Sequence, residues 1–263
     1  MTGPILIFDS GVGGLSVAHA LRYAYPAAAF CYACDNAWLP YGVRQDTELT
    51  ARIVAVCLAA VRACQPSVLV VACNTASTLA LEQLRAALTI PVVGTVPAIK
   101  PAAHLSTSRH IALLATSATL RRPYTQTLID SFASDCCITR VAADGLVVEA
   151  ERWLGGYPPS QMRLNAILTP LWQAARDTPP MDTVVLGCTH FPLMLPWLEA
   201  LSPVALNWVD SGAAIARRVG QVSETFNLGH HDNRSFTTAT AESLCAGLAD
   251  YGFAPPELLH LKN

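Results

Sequence analysis

The sequence predicts an α/β fold made of two similar halves, each built around a mostly parallel β-sheet. Short apolar runs alternate with segments of helical periodicity, an order that is typical of parallel strands joined by right-handed helical crossovers. The apolar runs are continuous rather than alternating, as expected for strands that are covered on both faces. A run that ends in Cys73 is matched, about one small domain later, by a run that ends in Cys188, which indicates that the two halves repeat one design.

The individual elements follow from these patterns. Strands are predicted at residues 4–9, 28–35, 67–73, 110–116, 136–142, 182–188 and 204–210. Helices are predicted at residues 15–25, 46–64, 76–88, 120–132, 160–176 and 213–222, with a further helix at 241–251. Residues 94–101 and 201–203 are expected to cross between the halves, and the polar residues 229–234 are expected to form an exposed loop.

The composition is that of a folded chain with no preference for nucleic acid. Hydrophobic residues make up 52% of the 263 residues and charged residues 14%, which supports a sizeable core and argues against disorder. The formal net charge is −2 and no basic stripe is present, so binding to nucleic acid is not expected. The N-terminus does not resemble a signal peptide, and no apolar run approaches the roughly 20 residues of a membrane span. A soluble, cytoplasmic protein is therefore expected.

The sequence gives little indication that the protein binds a metal ion or a cofactor. The nine cysteines are odd in number and irregularly spaced, which favours a reducing compartment over a disulfide framework. Cys31 and Cys34 form a single Cys-x-x-Cys pair, without the second pair of a zinc site. A pyridoxal phosphate enzyme needs a lysine for its Schiff base. The chain has only Lys100, in a proline-flanked stretch, and Lys262, next to the C-terminus, so this cofactor is not expected.

Cys73 and Cys188 are the strongest candidates for chemistry. Each ends a predicted strand and is followed by polar residues and then a predicted helix, whose free backbone N–H groups favour negative charge. We therefore expect such a thiol to lose its proton more readily than a free cysteine, whose pKa is about 8.5. His190 is placed to tune or shuttle the proton of Cys188. One such cysteine alone is better explained as an inert core residue, but two matching ones favour a function.

The glycine-rich turn that begins at Asp9-Ser10-Gly11 has two interpretations. A turn of this kind, leading into a helix, can cradle an anion such as a carboxylate. Alternatively it is a dinucleotide fingerprint, although Ser16 stands where glycine or alanine belongs and Asp35 would have to contact the ribose. Asp9 would place a negative charge next to a bound phosphate, which favours a role beside an amino group or a thiol instead. A non-catalytic nucleotide-binding protein stays an alternative.

Five motifs together resemble the glutamate racemases, within the aspartate/glutamate racemase superfamily. They are residues 8–17 (Phe-Asp-Ser-Gly-Val-Gly-Gly-Leu-Ser-Val), 40–42 (Pro-Tyr-Gly), 72–76 (Ala-Cys-Asn-Thr-Ala), 184–193 (Val-Val-Leu-Gly-Cys-Thr-His-Phe-Pro-Leu) and 209–216 (Val-Asp-Ser-Gly-Ala-Ala-Ile-Ala). The cysteine motifs alone would also admit an aspartate or hydantoin racemase. The second and fourth motifs narrow the resemblance to glutamate, and it covers about residues 5–219.

The resemblance implies an architecture and a cellular role. The fold would be two pseudo-symmetric, doubly wound domains whose parallel sheets face a central cleft. The first domain would comprise residues 1–95 plus 210–263, and the second residues 96–209. The protein would be a cytoplasmic enzyme and commonly a homodimer, with no cofactor and no metal. It would supply D-glutamate for peptidoglycan, and hence for cell-wall biogenesis and cell shape; activation by a peptidoglycan precursor is left open.

The resemblance also implies roles for individual residues. Cys73 and Cys188 would be an acid/base pair, with Asp9 assisting the first thiol and His190 the second. The substrate would be held by Asp9, Ser10, Tyr41, Gly42, Asn74, Thr75, Thr119, Thr189 and His190. A family glutamate near Cys188 falls on Glu151, with Glu149 as the alternative two positions away.

Overall fold

The computed structural model describes residues 3–223 and 233–261, and it contains two parallel β-sheets. The strands are β1 (Ile5–Asp9), β2 (Phe30–Cys34), β3 (Val68–Val71), β4 (Val92–Gly94), β5 (His110–Ala115), β6 (Cys137–Ala142), β7 (Thr183–Leu186), β8 (Asn207–Val209), β9 (Ser235–Thr237) and β10 (Glu257–Leu258). One sheet has the strand order β10-β9-β2-β1-β3-β4 and the other has β6-β5-β7-β8. All pairings are parallel, which confirms the predicted fold class.

Helices cover both faces of each sheet. They are α1 (Gly14–Ala24), α2 (Asp46–Cys64), α3 (Asn74–Ala87), α4 (Ile99–Leu105), α5 (Ser117–Arg121), α6 (Pro123–Phe132), α7 (Asp144–Leu154), α8 (Gln161–Ala174), α9 (Leu195–Leu201), α10 (Gly212–Val222) and α11 (Cys245–Asp250). In β1, Ile5 and Ile7 pack with α1 and α10, whereas Leu6 and Phe8 pack with α2 and α3. The second sheet lies between α7, α8 and α9 on one face and α4 and α6 on the other. Because both faces are buried, the strands carry continuous apolar runs.

Several predicted elements were wrong. The single helix at 120–132 is two helices, because a residue before proline avoids helical geometry and Arg122 is extended (φ −68, ψ 130). Pro123 then starts α6, where its missing N–H is tolerated. Residues 201–203 do not cross between the halves, since they join α9 to β8. The crossing predicted at 94–101 is confirmed, because the chain passes there from β4 of the first sheet to α4, which packs on the second sheet. The helix predicted at 241–251 is a 3₁₀ turn followed by α11, and residues 229–232 of the predicted loop lie outside the described residues.

The chain leaves the first sheet and later returns to it. Strands β1 to β4 are followed by the whole second sheet, β5 to β8, after which β9 and β10 extend the first sheet beyond β2. Helix α10 packs against α1, in the same core as β1 and β2. This arrangement supports the domain boundaries given above, which stay a prediction.

The cysteines carry no cross-links. All nine are free thiols, and Cys31, Cys34, Cys57 and Cys73 are buried. Across residues 3–223 and 233–261, no three histidine, cysteine or carboxylate side chains form a group that could hold a metal ion. Among the described helices, none is both long enough and apolar enough to cross a membrane.

A buried carboxylate ties the loop after β2 to the rest of the first half. Asp35 is fully buried and accepts two hydrogen bonds from the Arg52 guanidinium, at 2.6 and 2.9 Å. The Tyr41 hydroxyl donates to the same carboxylate at 2.8 Å, and the Thr238 hydroxyl donates at 2.6 Å. Asp35 therefore joins α2, the loop that contains Tyr41, and the returning C-terminal segment.

We expect Asp35→Ala to lower the free energy of unfolding by about 3 kcal/mol, because Arg52 would lose its buried partner. The matched control is Asp46→Ala, which breaks the exposed ion pair between Asp46 and Arg122 and should lower it by only about 0.5 kcal/mol. Urea unfolding followed by circular dichroism measures both. Equal losses in the two variants would contradict this assignment.

Candidate active site

A cavity of about 270 Å³ opens between the two halves, and we call it the front cavity. The first half lines it with Ser10, Leu39, Pro40, Tyr41, Gly42, Val43, Cys73, Asn74 and Thr75. The second half lines it with Thr116, Thr119, Asp144, Gly145, Val147, Val148, Cys188, Thr189 and His190. These residues follow the carboxyl ends of β1, β2 and β3 in one sheet and of β5, β6 and β7 in the other, where open α/β sheets bind their ligands.

Both candidate cysteines lie where the order of the strands reverses. In the first sheet the reversal falls between β1 and β3, and Cys73 follows β3. In the second sheet it falls between β5 and β7, and Cys188 follows β7. Loops diverge at such a point and leave a crevice, so each half presents its thiol to the shared front cavity.

The Cys73 thiol is more shielded from water than its sequence position suggests. It directly precedes α3, its residue is 6% exposed, and its sulfur lies 3.7 Å from the Ser10 hydroxyl oxygen. Burial, together with the charge of Asp9, raises the pKa of Cys73 to about 12, and the backbone N–H of Ala76 offsets this only in part. The expectation of an easily ionised thiol was therefore wrong for Cys73, because desolvation outweighs the helix N-terminus.

Asp9 lies beneath the front cavity and joins the two halves. Its Oδ1 accepts the Gly11 N–H at 2.9 Å and lies 3.4 Å from the Ser10 hydroxyl, while its Oδ2 accepts the Thr189 hydroxyl at 3.0 Å. Burial raises the pKa of this carboxyl group, although the positive charge of His190 opposes the rise. A carboxyl group with a raised pKa, one hydroxyl away from a thiol, is suited to exchanging a proton with it.

His190 connects Cys188 to a glutamate of the second half. Its Nδ1 lies 3.7 Å from the Cys188 sulfur, and its Nε2 lies 2.6 Å from Glu151 Oε1. Burial alone would lower the pKa of His190, but the hydrogen bonds to Cys188 and Glu151 raise it well above its ordinary value. The imidazole is therefore placed to act as a charged donor beside the half-buried Cys188 thiol.

Glu149 points elsewhere. Two residues turn a helix by about 200°, so Glu149 and Glu151 project from different sides of α7. Glu149 pairs with the Arg163 guanidinium at 2.6 Å and accepts the Ser160 N–H at 3.1 Å. Of the two glutamates, the structure places Glu151 beside His190.

Side chains of the second half pack directly against the glycine-rich turn. The Val12 N–H donates to Glu151 Oε1 at 2.9 Å, so the anion at this turn is a carboxylate of the chain itself. A Cβ at Gly11 would overlap Glu151, and one at Gly13 would lie 2.5 Å from His190 Nδ1. The glycines are needed for this close approach, which takes up the place that a dinucleotide phosphate would need. The alternative fingerprint interpretation is further weakened because Asp35 is committed to Arg52.

The remaining predicted residues differ in what they offer to a ligand. Asn74 and Thr75 begin α3 directly after Cys73. The Tyr41 phenol is committed to Asp35, and burial beside that carboxylate raises its pKa well above the ordinary value. Thr119 lies in the first turn of α5, where its N–H donates to the Thr116 hydroxyl at 3.3 Å.

Ten of the predicted site residues line the front cavity, whereas Asp9 and Glu151 lie behind its wall. Sequence reasoning missed an apolar and acidic part of the lining, namely Leu39, Val43, Asp144, Gly145, Val147 and Val148. Four of these belong to α7, which had not been predicted. The sequence indicated these four residues as cavity lining only by their position just after the apolar run that ends at residue 142, since a parallel strand presents its carboxyl end to the ligand.

Known proteins resemble this chain over its full length. Residues 16–219 match the Asp/Glu/Hydantoin racemase family. The glutamate racemase of Shewanella loihica is 45% identical over 96% of this chain and 94% of its own length, and that of Shewanella frigidimarina is 44% identical over both full lengths. The crystal structure of Escherichia coli glutamate racemase, in complex with L-glutamate and the activator UDP-MurNAc-Ala, is 40% identical over both full chains, with a TM-score of 0.92. A glutamate racemase isoform of Bacillus anthracis has a TM-score of 0.78 at 25% identity.

The chain therefore belongs to the Asp/Glu/Hydantoin racemase family, and it is an isomerase. Within that family, the resemblance to the glutamate racemases that the motifs indicated is confirmed. The sheets and the cleft between them are those of a racemase fold.

Proposed function

We propose that this protein is a cofactor-independent glutamate racemase in which Cys73 and Cys188 exchange protons with the α-carbon from opposite sides. The proposal is carried by one observation: two thiols from two different halves of the chain line the same cavity. The relatives that match the full chain are glutamate racemases, which supports glutamate over aspartate or a hydantoin as the substrate. Lys100 stacks on Phe132, 5.4 Å from the ring centroid, and is not among the lining residues, which fits a mechanism without a Schiff base.

Inversion of a stereocentre requires a proton to leave one face and another to arrive at the opposite face. In the D-to-L direction, the Cys73 thiolate takes the α-proton and the Cys188 thiol donates a proton to the other face. In the L-to-D direction the two thiols exchange these roles. Asp9, acting through Ser10, is placed to receive the proton that Cys73 must lose before it can act as a base. His190, as a charged donor 3.7 Å from the Cys188 sulfur, is placed to stabilise the thiolate that Cys188 forms when it acts as the base.

The surroundings of the cavity supply the stabilisation that a weakly acidic α-carbon needs. Backbone N–H groups at the start of α3, together with the hydroxyls of Ser10, Thr75 and Thr189, can orient the amino and carboxylate groups of glutamate. Thr119, Tyr41 and Gly42 lie among the remaining lining residues. A largely closed site strengthens these fixed dipoles as charge develops on the α-carbon.

We further propose a place for the enzyme in cell-wall synthesis. Its product, D-glutamate, would be used for peptidoglycan in the cytoplasm, and the protein would act as a homodimer. The Escherichia coli relative binds UDP-MurNAc-Ala as an activator, and its fold matches this chain over the full length. A nucleotide-linked peptidoglycan precursor is therefore the class of activator to test, by measuring kcat with and without UDP-MurNAc-Ala.

Incubation with L-glutamate in deuterated water, without any added cofactor, tests the reaction and the substrate together. We expect D-glutamate that carries deuterium at the α-carbon, because the incoming proton arrives from a thiol that exchanges with solvent. Chiral chromatography with mass spectrometry measures the product, and L-aspartate under the same conditions is the matched control. Conversion of aspartate but not glutamate would favour the other racemases of the family. NAD binding at micromolar concentration, with no exchange at the α-carbon, would favour a nucleotide-binding protein.

A further inference from the structure

A second, much smaller cavity lies against the far side of Cys188, and we call it the rear cavity. Its volume is about 20 Å³. Asn74, Cys188 and Thr189 line both the front and the rear cavity, so they form the wall between them. Thr95 and Asp210 also line the rear cavity. Asp210 is exposed and does not line the front cavity, so the rear cavity reaches the protein surface at a residue outside the front cavity.

Two residues that line the rear cavity, Asn74 and Thr95, each carry a buried polar side-chain atom without a partner among the described residues. In the described part of the chain, neither Asn74 Oδ1 nor Thr95 Oγ1 has a hydrogen-bond partner, although their residues are only 6% and 2% exposed. A buried polar group left unpaired destabilises a protein, so such groups usually bind ordered water. A cavity needs about 10–15 Å³ to hold one water molecule, which must also find two to four polar partners. The rear cavity meets both requirements.

Asp210 and Ser211 repeat a motif of the front cavity. The segment Asp210-Ser211-Gly212 matches Asp9-Ser10-Gly11, and in both the glycine N–H donates to Oδ1 of the aspartate, at 2.6 and 2.9 Å. Asp9 lies one hydroxyl away from Cys73. Asp210 lines the same rear cavity as Cys188, while the Ser211 hydroxyl donates to the Val96 carbonyl oxygen at 2.6 Å.

Under the proposed function, both thiols must regain their starting protonation states after every turnover. When L-glutamate becomes D-glutamate, Cys188 gains the α-proton and Cys73 gives one away. The enzyme is then left with a Cys188 thiol and a Cys73 thiolate, which is the wrong arrangement for another turnover in the same direction. One proton must leave Cys188, and one must reach Cys73. When glutamate is abundant it refills the front cavity at once, so that water has little access to the thiols from that side.

We propose that the rear cavity binds a water molecule, held by Asn74 and Thr95. Through this water, Cys188 loses a proton and Cys73 regains one while glutamate occupies the front cavity. This inference rests on the proposed function. The Cys188 S–H bond breaks and its proton passes to the rear water, which releases a proton to the Asp210 carboxylate and from there to solvent. No oxidant or other reactant is needed, because each group gives up one proton and gains one.

Cys73 is connected to the same wall by a chain of side chains. Its sulfur is 3.7 Å from the Ser10 hydroxyl, which lies 3.4 Å from Asp9. The Thr189 hydroxyl donates to the other oxygen of Asp9 at 3.0 Å, and Thr189 borders the rear cavity. A proton that Thr189 takes from the rear water can thus replace one that Asp9 and Ser10 pass to the Cys73 thiolate.

The test is Thr95→Val, which replaces the unpaired hydroxyl with a methyl group of similar size. At saturating L-glutamate we expect kcat to fall about tenfold, the effect of losing one hydrogen bond to the relay water. At low glutamate the front cavity is empty between turnovers and both thiols exchange with water there, so kcat/KM is expected to stay unchanged. A variant that merely disturbed the active-site wall would instead lower both quantities by the same factor.

Two further variants separate the relay from a packing effect. Thr95→Ser keeps the hydroxyl and is expected to rescue kcat. Asp210→Asn keeps an oxygen for the Gly212 N–H but removes the base, and it should show the same loss of kcat at constant kcat/KM. An unchanged kcat in both Thr95→Val and Asp210→Asn, or equal losses of kcat and kcat/KM, would overturn the relay. Continued α-deuteration of D-glutamate in those variants would show that the two-thiol reaction itself stands.

Discussion

Replacing either Cys73 or Cys188 with alanine is expected to lower kcat for racemisation by about 10⁴-fold or more, in both directions. The two thiols line one cavity from different halves of the chain, so no other group in the lining is a matched replacement for the missing one. A single remaining thiol can remove a proton and return it to the same face, but it cannot invert the α-carbon. Circular dichroism of the glutamate solution over time measures the loss.

The single variants should still reveal which face each thiol serves. In deuterated water we expect Cys188→Ala to exchange the α-proton of a D-glutamate analogue only, and Cys73→Ala that of the L-analogue only. The matched controls are Cys57→Ala, a buried cysteine of the first half, and Cys136→Ala, a partly buried cysteine of the second. Neither lines the front cavity, so both should racemise glutamate normally. Racemisation that survives in either active-site variant is incompatible with the two-thiol mechanism.

The Glu151→Gln variant is expected to move the alkaline limit of activity to lower pH by about 1–2 units. Burial alone would lower the pKa of His190, but hydrogen bonds to Cys188 and Glu151 raise it well above its ordinary value, so the imidazolium persists to higher pH than that of a free histidine. Activity that depends on this charge is present at lower pH and lost as pH rises through the pKa of His190. Without the Glu151 charge that pKa falls, and at a fixed alkaline pH kcat should drop about tenfold for each unit of the shift.

Glu149→Gln is the control for this experiment. Glu149 lies on the same helix, but it pairs with Arg163, so the substitution should leave the pH profile of kcat in place. The glutamine at position 151 can still accept the Val12 N–H, which keeps the contact between the halves. If the two variants shifted the profile equally, or if neither did, Glu151 would not be the group that sets the charge on His190.

The sequence was sufficient to identify the parts of the site that are carried by local pattern. Cys73 and Cys188 each follow a continuous apolar run, and in a parallel sheet the end of such a run points into the ligand crevice. The choice between Glu149 and Glu151 needed the rotation of α7, an amphipathic helix that the linear sequence did not reveal. The breadth of the lining was missed for the same reason, since Val147 and Val148 belong to that helix.

Other features depend on contacts that only the folded chain makes. The sequence position of Cys73 suggested a lowered pKa, but the depth of its burial and the nearby Asp9 raise it instead. The strands β9 and β10 have three and two residues, too few for a periodic signal, and they exist because β2 offers them an edge to pair with. The partner of the glycine-rich turn was likewise hidden, because Glu151 reaches it from far along the chain.

The glycine-rich turn, which lacks side chains at two positions, sets how closely the two halves approach each other. Side chains of the second half rest directly on residues 11 and 13, where a single methyl group would collide with Glu151 or His190. The two glycines thus let the halves approach as closely as the backbone allows. The distance between the two sulfur atoms that flank the α-carbon is therefore set in part by atoms that take no part in the reaction. A displacement of about 1 Å between reacting groups can slow an enzyme about a hundredfold. The spacing of the reacting groups therefore depends on the absence of side chains at these two positions.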